Sequence, residues 1–349
     1  MQIIHVNLAN SLGGGEYQTL ALMETLRSSA EQWLIHRQNS PLADLARQRS
    51  LRAMSASKAL FSPFAPCWCK PVVLHAHDGR GVHWARICAR LHGLPYLITR
   101  RVLKAPRQQR WTRSAYSGAN SVACVSQAVA DSMHKYNATL KTCVVYDGLV
   151  GFDSDTTQVE ALRAIHPGKI IVAQVGRLSA EKEVRVTLEV ARILAARKLP
   201  IHFWIIGDGP LRDNLRLAAK DLDNVDFLGH RSDVGNYLAA ADVLMHPSRS
   251  EAFGSVIVEA MQHKVAVIAS RVGGIPEVVS DNETGLLIES ADIAGFSAAL
   301  ERLCVEPATR IRLAGAGRQR AEIFSLQKMA ERYLELYQEC LASHQGAGS

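Results

Sequence analysis

The chain has 349 residues, 48% of them hydrophobic and 21% charged, with a formal net charge of +7. That is long for one domain and comfortable for two. No apolar run reaches the roughly 18 residues a membrane span needs, and Met1 to Val6 enters a strand pattern without a signal peptide's basic and apolar regions. The charge is uneven: residues 1–150 hold 18 Lys and Arg against 7 Asp and Glu, and the rest hold 22 against 26. Such a basic first half fits a polyanionic partner: an acidic membrane surface, a phosphorylated glycolipid or nucleic acid. Seven scattered cysteines imply reduced thiols and a cytoplasmic setting. Cys67 and Cys69 lack a second ligand pair nearby, so no metal site is expected there.

Ile3 to Asn7 is a short apolar strand, followed by Gly13-Gly14-Gly15-Glu16 and a helical pattern through Leu20, Leu22, Met23 and Leu26. A glycine-rich turn between a first strand and a first helix lets a ligand approach the backbone, although the spacing is not that of a dinucleotide fingerprint. Further strands are predicted at 33–36, 72–75, 96–99, 121–125 and 143–146. Helices are predicted at 82–91 and 127–136, the latter capped by Ser126. This alternation argues for a doubly wound parallel sheet, whose ligands bind at the carboxyl ends of strands. His75, His77, Asp78 and Arg80 fall at such an end, where histidines suit acid/base or acceptor-binding roles. Arg100 and Arg101 fall at the next one and suit phosphate. Arg100 to Arg113 holds six basic residues, no acidic one, and Trp111. That stretch suits docking on an anionic membrane surface, with the indole at headgroup level.

Residues 147–168 are polar, punctuated by Gly and Pro, and read as a linker. A second strand–helix series begins at Lys169 to Val175. Gly176-Arg177-Leu178-Ser179-Ala180-Glu181-Lys182 follows, placing two cations at a strand end where they can clamp a diphosphate. Ile201 to Ile206 is another buried strand, closed by a Gly207-Asp208-Gly209-Pro210 turn. Val225 to Val234 comes next. The apolar run 241–246 ends at Pro247, and Gly254 turns the chain into a helix whose free N–H groups form a ready anion site. Glu251 sits in the loop before that helix and Glu259 about two turns into it. Val265 to Ala269 is the next strand, and Gly285-Leu286-Leu287 turns into a last one. Met329, Tyr333, Leu336 and Tyr337 give 324–341 helical spacing, with a frayed tail from Ser343.

The stretch Glu251-Ala252-Phe253-Gly254-Ser255-Val256-Ile257-Val258-Glu259 resembles the Glu-x7-Glu motif of retaining GT-B glycosyltransferases of family 4. The Gly13 to Glu16 loop, the Gly-Arg-Leu-x-x-Glu-Lys stretch and the Gly-x-Gly-Pro turn are similar to that family's loops. The family often continues the second of these with Gly, where this chain has Glu183. The resemblance implies that Glu251 contacts the donor sugar and Glu259 the ribose hydroxyls. It implies that the backbone around Phe253, Gly254, Ser255 and Val256 faces the diphosphate, with Arg177 and Lys182. His230, Arg231 and Val234 then border the nucleobase, Gly207 shapes the donor site, and Gly14, Gly15 and the His77 region lie near donor phosphate and acceptor. Many members carry a histidine where this chain has Arg100 and Arg101.

The expected fold is α/β, with two facing Rossmann-like doubly wound domains and a nucleotide-sugar between them. The expected boundaries are 1–165 for acceptor binding, 166–323 for donor binding, and 324–349 for a helix crossing back to the first domain with its tail. The expected activity is retaining transfer of a hexose or related sugar from a nucleoside diphosphate-sugar to an acceptor hydroxyl, on a lipopolysaccharide core or other cell-surface glycolipid. Glu251, His77, Arg177 and Lys182 are the expected catalytic groups. No Asp-x-Asp lies within these motifs, and the chain is expected to work without a metal or other cofactor. A cytoplasmic enzyme, peripheral on the inner membrane face, fits these readings. Two alternatives stay open: a GT-B nucleotide-sugar epimerase, and a nucleic-acid-binding protein suggested by the basic first half.

Overall fold

The computed structural model describes residues 1–61, 71–151 and 153–346; Cys67 and Cys69 lie outside them. The chain forms two compact units, Met1–Val150 with Ser325–Ser349, and Gly151–Phe324. Unit 1 holds β1 (Gln2–Asn7), β2 (Glu31–His36), β3 (Ala53–Ser55), β4 (Val72–Ala76), β5 (Tyr96–Arg100), β6 (Ser121–Cys124) and β7 (Thr142–Val144). Unit 2 holds β8 (Ile170–Val175), β9 (Ile201–Ile206), β10 (Val225–Gly229), β11 (Val243–His246), β12 (Ala266–Ser270) and β13 (Leu286–Ile288).

The first sheet runs β3-β2-β1-β4-β5-β6-β7 and the second β10-β9-β8-β11-β12-β13. Each paired neighbour is parallel. The central strands β1 and β9 are buried along their whole length, as parallel strands covered on both faces must be. In each sheet the strand order reverses once, between β1 and β4 and between β8 and β11. A crevice opens at the carboxyl ends of the strands flanking such a reversal. The loops there are 7–16 and 77–81 in unit 1, and 176–183 and 247–255 in unit 2.

Edge strands are where sequence and structure part. β10 carries no strand prediction from the sequence; it is half-buried and interrupted by Asp226, so its apolar pattern is weak. β3 has only three half-buried residues and gave no signal. The boundary also moves, from 165/166 to 150/151. Thr156–Ala164 is a helix of unit 2 with no buried residue, capped by the Asp155 carboxylate. Asn236 holds its start, accepting from the Asp155 amide at 2.7 Å and donating to Gln158 at 2.7 Å. A short helix between Gly and Pro whose apolar stripe is only the half-buried Val159 and Leu162 reads as a linker.

The core of unit 1 joins Ile3, Leu22, Val73, Leu97, Ala123 and Val145 to Met329, Tyr333, Leu336, Tyr337 and Cys340 of the last helix. That helix, Leu326–Gly346, extends beyond the expected start of a frayed tail. Each large side chain it buries contributes about 1.5–3 kcal/mol. Unit 2 packs Val172, Leu194, Phe203, Met245, Ile268, Phe296 and Leu303 on one face of its sheet. Leu178, Val184, Leu188, Ile205 and Leu215 form a second cluster.

Candidate active site

In unit 2, three adjacent strands end in glycines that let their loops close on one another. Gly207, at φ +139°, sits so near Gly176 that an added Cβ would lie 1.9 Å from the Gly176 carbonyl oxygen. Gly176 itself has φ +149°, with the Lys182 side chain over it. Its amide donates to Ile206, and that of Gly207 to Gly229. Gln174, buried at the end of β8, donates to the Lys182 carbonyl at 2.8 Å and accepts from Thr187 at 2.7 Å. This fixes the turn that carries Lys182. Glu183 occupies the left-handed region where the family often has Gly, at φ 48° and ψ 42°. Its carboxylate pairs with Arg249, tying the 176–183 turn to the 247–255 loop.

Lys182 Nζ donates to Glu251 Oε2 at 2.6 Å. His246, the last residue of β11, places Nε2 3.0 Å from the same oxygen and 3.0 Å from Ser248 Oγ. Burial alone would raise the Glu251 pKa, but His246 and the Lys182 ammonium outweigh it and hold it at about 2. Burial also lowers the pKa of His246, against the pull of Glu251. Glu251 is therefore a carboxylate at any physiological pH and no proton donor. His246, Ser248 and Gln174 escaped the sequence reading. His246 lay inside an apolar run, and only its place one residue before the strand-breaking Pro247 marked it.

Gly254, at φ 97°, starts the helix Ser255–Gln262. The Ser255 and Val256 amides have no hydrogen-bond partner among the described residues, while that of Ile257 donates to Gly254. Phe253 is 4% exposed and packs edge-on against Phe324 at 5.4 Å, so its ring serves the core. Burial, without a cation, pushes the Glu259 carboxyl up to about 7. Arg177 is exposed, with its guanidinium in no ion pair among the described residues. His230 and Arg231 are exposed after β10, with Arg231 5.3 Å from the Tyr237 ring centroid. Val234, almost buried, opens the next helix.

In unit 1 the histidines at the strand ends are internal. His5, His75 and His77 are 0%, 0% and 6% exposed. His77 Nδ1 lies 3.5 Å from an Arg101 nitrogen, His77 Nε2 lies 3.0 Å from His5 Nδ1, and His5 Nε2 lies 3.0 Å from Gln32 Oε1. Arginine can only donate and the Gln32 oxygen can only accept, so the chain runs from Arg101 through His77 and His5 to Gln32. That orientation uses both ring nitrogens of His77. Burial, then the charges of His75, His5 and Arg101, holds the His77 pKa well below the ordinary value. His75 bonds Tyr337 at 2.7 Å and Thr99 at 2.6 Å, and Thr99 bonds Tyr333 at 2.7 Å. Gly14 opens the first helix, and Gly15 lies over the Arg101 side chain.

Arg101 pairs with Asp147 at 2.8 Å, both side chains largely buried. Burial opposes its charge, and Asp147, with Tyr333 and Glu16, more than offsets that, so its pKa is raised. Arg100 donates to Tyr116 at 3.3 Å and to the Lys104 carbonyl. Lys104, Arg107, Arg110 and Arg113 remain exposed, and Trp111 is 79% exposed. Two groups of side chains among the described residues are compact enough to share a cation: His5 with His75 and His77, and His166 with His202 and Asp226. The first faces the Arg101 guanidinium and has its ring nitrogens engaged, which disfavours a cation. In the second, both histidines approach Asp226 Oδ2, at 3.0 and 2.8 Å, a satisfied hydrogen-bond arrangement at the starts of β9 and β10. No helix among the described residues is long and apolar enough to cross a membrane.

The family described as Glycosyl transferases group 1 matches residues 157–320. Alpha-maltose-1-phosphate synthase of Mycobacterium tuberculosis is 30% identical over 312 residues, covering 77% of this chain and 79% of that protein. The lipopolysaccharide core biosynthesis glycosyltransferase LpsE of Rhizobium meliloti is 33% identical over 171 residues, 48% of this chain and 49% of that one. The solved structure of Anabaena Alr3699/HepE in complex with UDP has a TM-score of 0.85, covering 97% of this chain and 100% of that chain, at 19% identity. The two-unit architecture is thus the GT-B fold.

Proposed function

The chain belongs to the glycosyl transferases group 1, and from that membership we propose a retaining, family 4 type enzyme. It moves a hexose or related sugar from a nucleoside diphosphate-sugar to an acceptor hydroxyl. The observation that carries this reading is the cluster in unit 2: Lys182 on Glu251, beside the unpartnered amides that open the helix Ser255–Gln262. Arg177, Lys182 and these amides stabilise the leaving diphosphate. Glu251 contacts the donor sugar, and the buried Glu259 accepts from the ribose hydroxyls. The backbones at Gly207, His230, Arg231 and Val234 border the rest of the nucleotide, and Gly14, Gly15 and the His77 region position the acceptor. No metal or other cofactor takes part in this reading.

In the step proposed, the acceptor oxygen bonds the anomeric carbon on the face that the diphosphate leaves, and the departing phosphate oxygen takes the acceptor proton. An ionised Glu251 already accepting two hydrogen bonds supports this over a protonating or covalent carboxylate. LpsE, in whose name the lipopolysaccharide core appears, supports a cell-surface glycolipid as the acceptor. The exposed Lys104, Arg107, Arg110, Arg113 and Trp111 support docking of unit 1 on an anionic membrane face.

A thermal-shift screen of nucleotides and nucleotide-sugars tests the donor assignment, because a ligand that binds the native state raises the melting temperature. UDP, the nucleotide in the HepE complex, is the first candidate. Stabilisation by one nucleoside diphosphate and its sugars is expected; none from any would overturn the reading. Product NMR showing an inverted anomeric centre would overturn retention alone. Vesicle co-sedimentation should rise with anionic lipid, fall with salt, and be lost when Arg107, Arg110 and Arg113 are changed to Ser. Equal binding to neutral vesicles would remove the membrane claim.

A further inference from the structure

We propose that unit 1 carries a phosphate-binding subsite formed by Arg37 and Arg80 around Asn10, which recognises a phosphate group on the acceptor. This rests on the reading that unit 1 takes the acceptor. Arg37 follows β2, Asn10 lies in the loop after β1, and Arg80 is in the first turn of the helix after β4. These three strands are neighbours, so all three residues arrive at the same carboxyl edge of the sheet, beside its point of reversal.

Both guanidinium groups reach the one Asn10 side-chain oxygen. Neither forms an ion pair with any carboxylate among the described residues, and both are exposed. They line a cavity of about 450 Å³ with Leu8, Gln38, Ala56 and Ser57, and no acidic residue among the described residues lines it. The neighbouring carboxylate, Asp78, is spent on backbone amides: those of Leu8 at 2.7 Å, Arg80 at 3.0 Å and Gly81 at 3.0 Å.

Two like charges drawn to a single neutral oxygen repel one another, and an anion between them turns that repulsion into attraction. The arginine fork matches phosphate geometry, and Ser57 and Gln38 add neutral donors beside it. A neutral sugar could not replace this term. The arginines that the sequence marked for phosphate are otherwise engaged, Arg101 by Asp147 and Arg100 by Tyr116 and the Lys104 carbonyl. Phosphate recognition therefore moves to a pair that are 43 positions apart in sequence and carry no motif.

The test titrates inorganic phosphate into the full chain saturated with UDP, so that the Arg177–Lys182 loop is already filled, and follows melting temperature and heat of binding. Saturable binding is expected, weakened roughly tenfold or more in Arg37→Ala and in Arg80→Ala and lost in the double variant. Retained stabilisation by UDP shows that the variants are folded. Glucose 6-phosphate should displace inorganic phosphate and glucose should not. Phosphate binding that is equal in wild type and double variant, or absent from wild type, overturns the subsite. Binding to vesicles of phosphatidic acid that glucose 6-phosphate cannot compete away overturns the acceptor assignment in favour of a lipid headgroup. If UDP itself fails to bind, the same titration without UDP still reads Arg37 and Arg80, so the two readings fail separately.

Discussion

In unit 2 the groups around the point of sheet reversal come from two short stretches, 174–183 and 246–259. In unit 1 they come from positions 5, 10, 32, 37, 77, 80, 101 and 147, with Tyr333 and Tyr337 added from the end of the chain. Both sheets reverse in the same way, yet one site is encoded as motifs and the other is assembled. A ligand gripped by backbone amides and a turn needs consecutive residues, so its site shows as a pattern. A site made by packing side chains on or after five strands, with a returning helix, has no such requirement. The electrostatics differ too: unit 2 offsets Lys182 with Glu251, whereas Arg37 and Arg80 have no carboxylate partner among the described residues.

The sharpest way to break the contrast is Glu251→Gln. If Glu251 acts on the sugar, release of nucleoside diphosphate from the nucleotide-sugar should slow by about 10²–10³-fold, the scale for losing one preorganised electrostatic group. UDP affinity should hold, because the variant frees Lys182. Equal losses of turnover and UDP affinity would assign Glu251 to the nucleotide. Next in size, Lys182→Ala and Arg177→Ala should each weaken UDP by roughly 1.5–3 kcal/mol, by calorimetry. Unchanged affinity in both would remove the diphosphate clamp.

The buried network of unit 1 is tested by Tyr337→Phe, which leaves His75 Nδ1 without its partner. A loss of about 1–3 kcal/mol in urea unfolding is expected. No loss would mean that water or a rotated ring replaces the hydroxyl.

Glu259 gives a pH signature. Its carboxyl holds its proton up to about 7 when folded, against an ordinary value of 4.5. The stability it contributes is complete below about 4.5 and lost as pH rises through 7. The free enzyme should therefore lose melting temperature across that window, and nucleotide binding should strengthen across it as the carboxylate forms. Glu259→Gln should flatten both profiles; unchanged slopes would place the titration elsewhere. The smallest effect is expected from Glu183→Gly. It relieves a left-handed non-glycine residue but removes the partner of the largely exposed Arg249, so the net change should stay within about 1 kcal/mol. A larger loss would show that this ion pair holds the two donor loops together.

Much of this was legible in advance. The strand–helix alternation and the buried runs at β1, β9 and β11 gave two doubly wound units, and Ser126 caps its helix as predicted. The Gly254 turn was readable because φ 97° asks for glycine. His246 was not, because a buried histidine ending a strand looks like part of the strand. The fates of Arg100 and Arg101 were not either, since Asp147 lies 46 positions from Arg101 and two strands intervene. Thr156–Ala164 was missed because a nine-residue helix with only Val159 and Leu162 half-buried gives too short a stripe to detect.

The closing of the unit 1 core by Met329, Tyr333, Leu336 and Tyr337 sets the order in which the protein can be made. Gly151–Phe324 is one unbroken segment and can fold as soon as it has left the ribosome. Residues 1–150 emerge earlier but keep a bare apolar sheet face until residue 340 has followed, a closure spanning almost the whole chain. The usual sequence of domain folding during synthesis, N-terminal first, is thereby reversed for the final step. Chaperone demand should fall on the older half of the nascent chain, and a ribosome stalled near residue 324 should display a finished second unit tethered to an unfinished first.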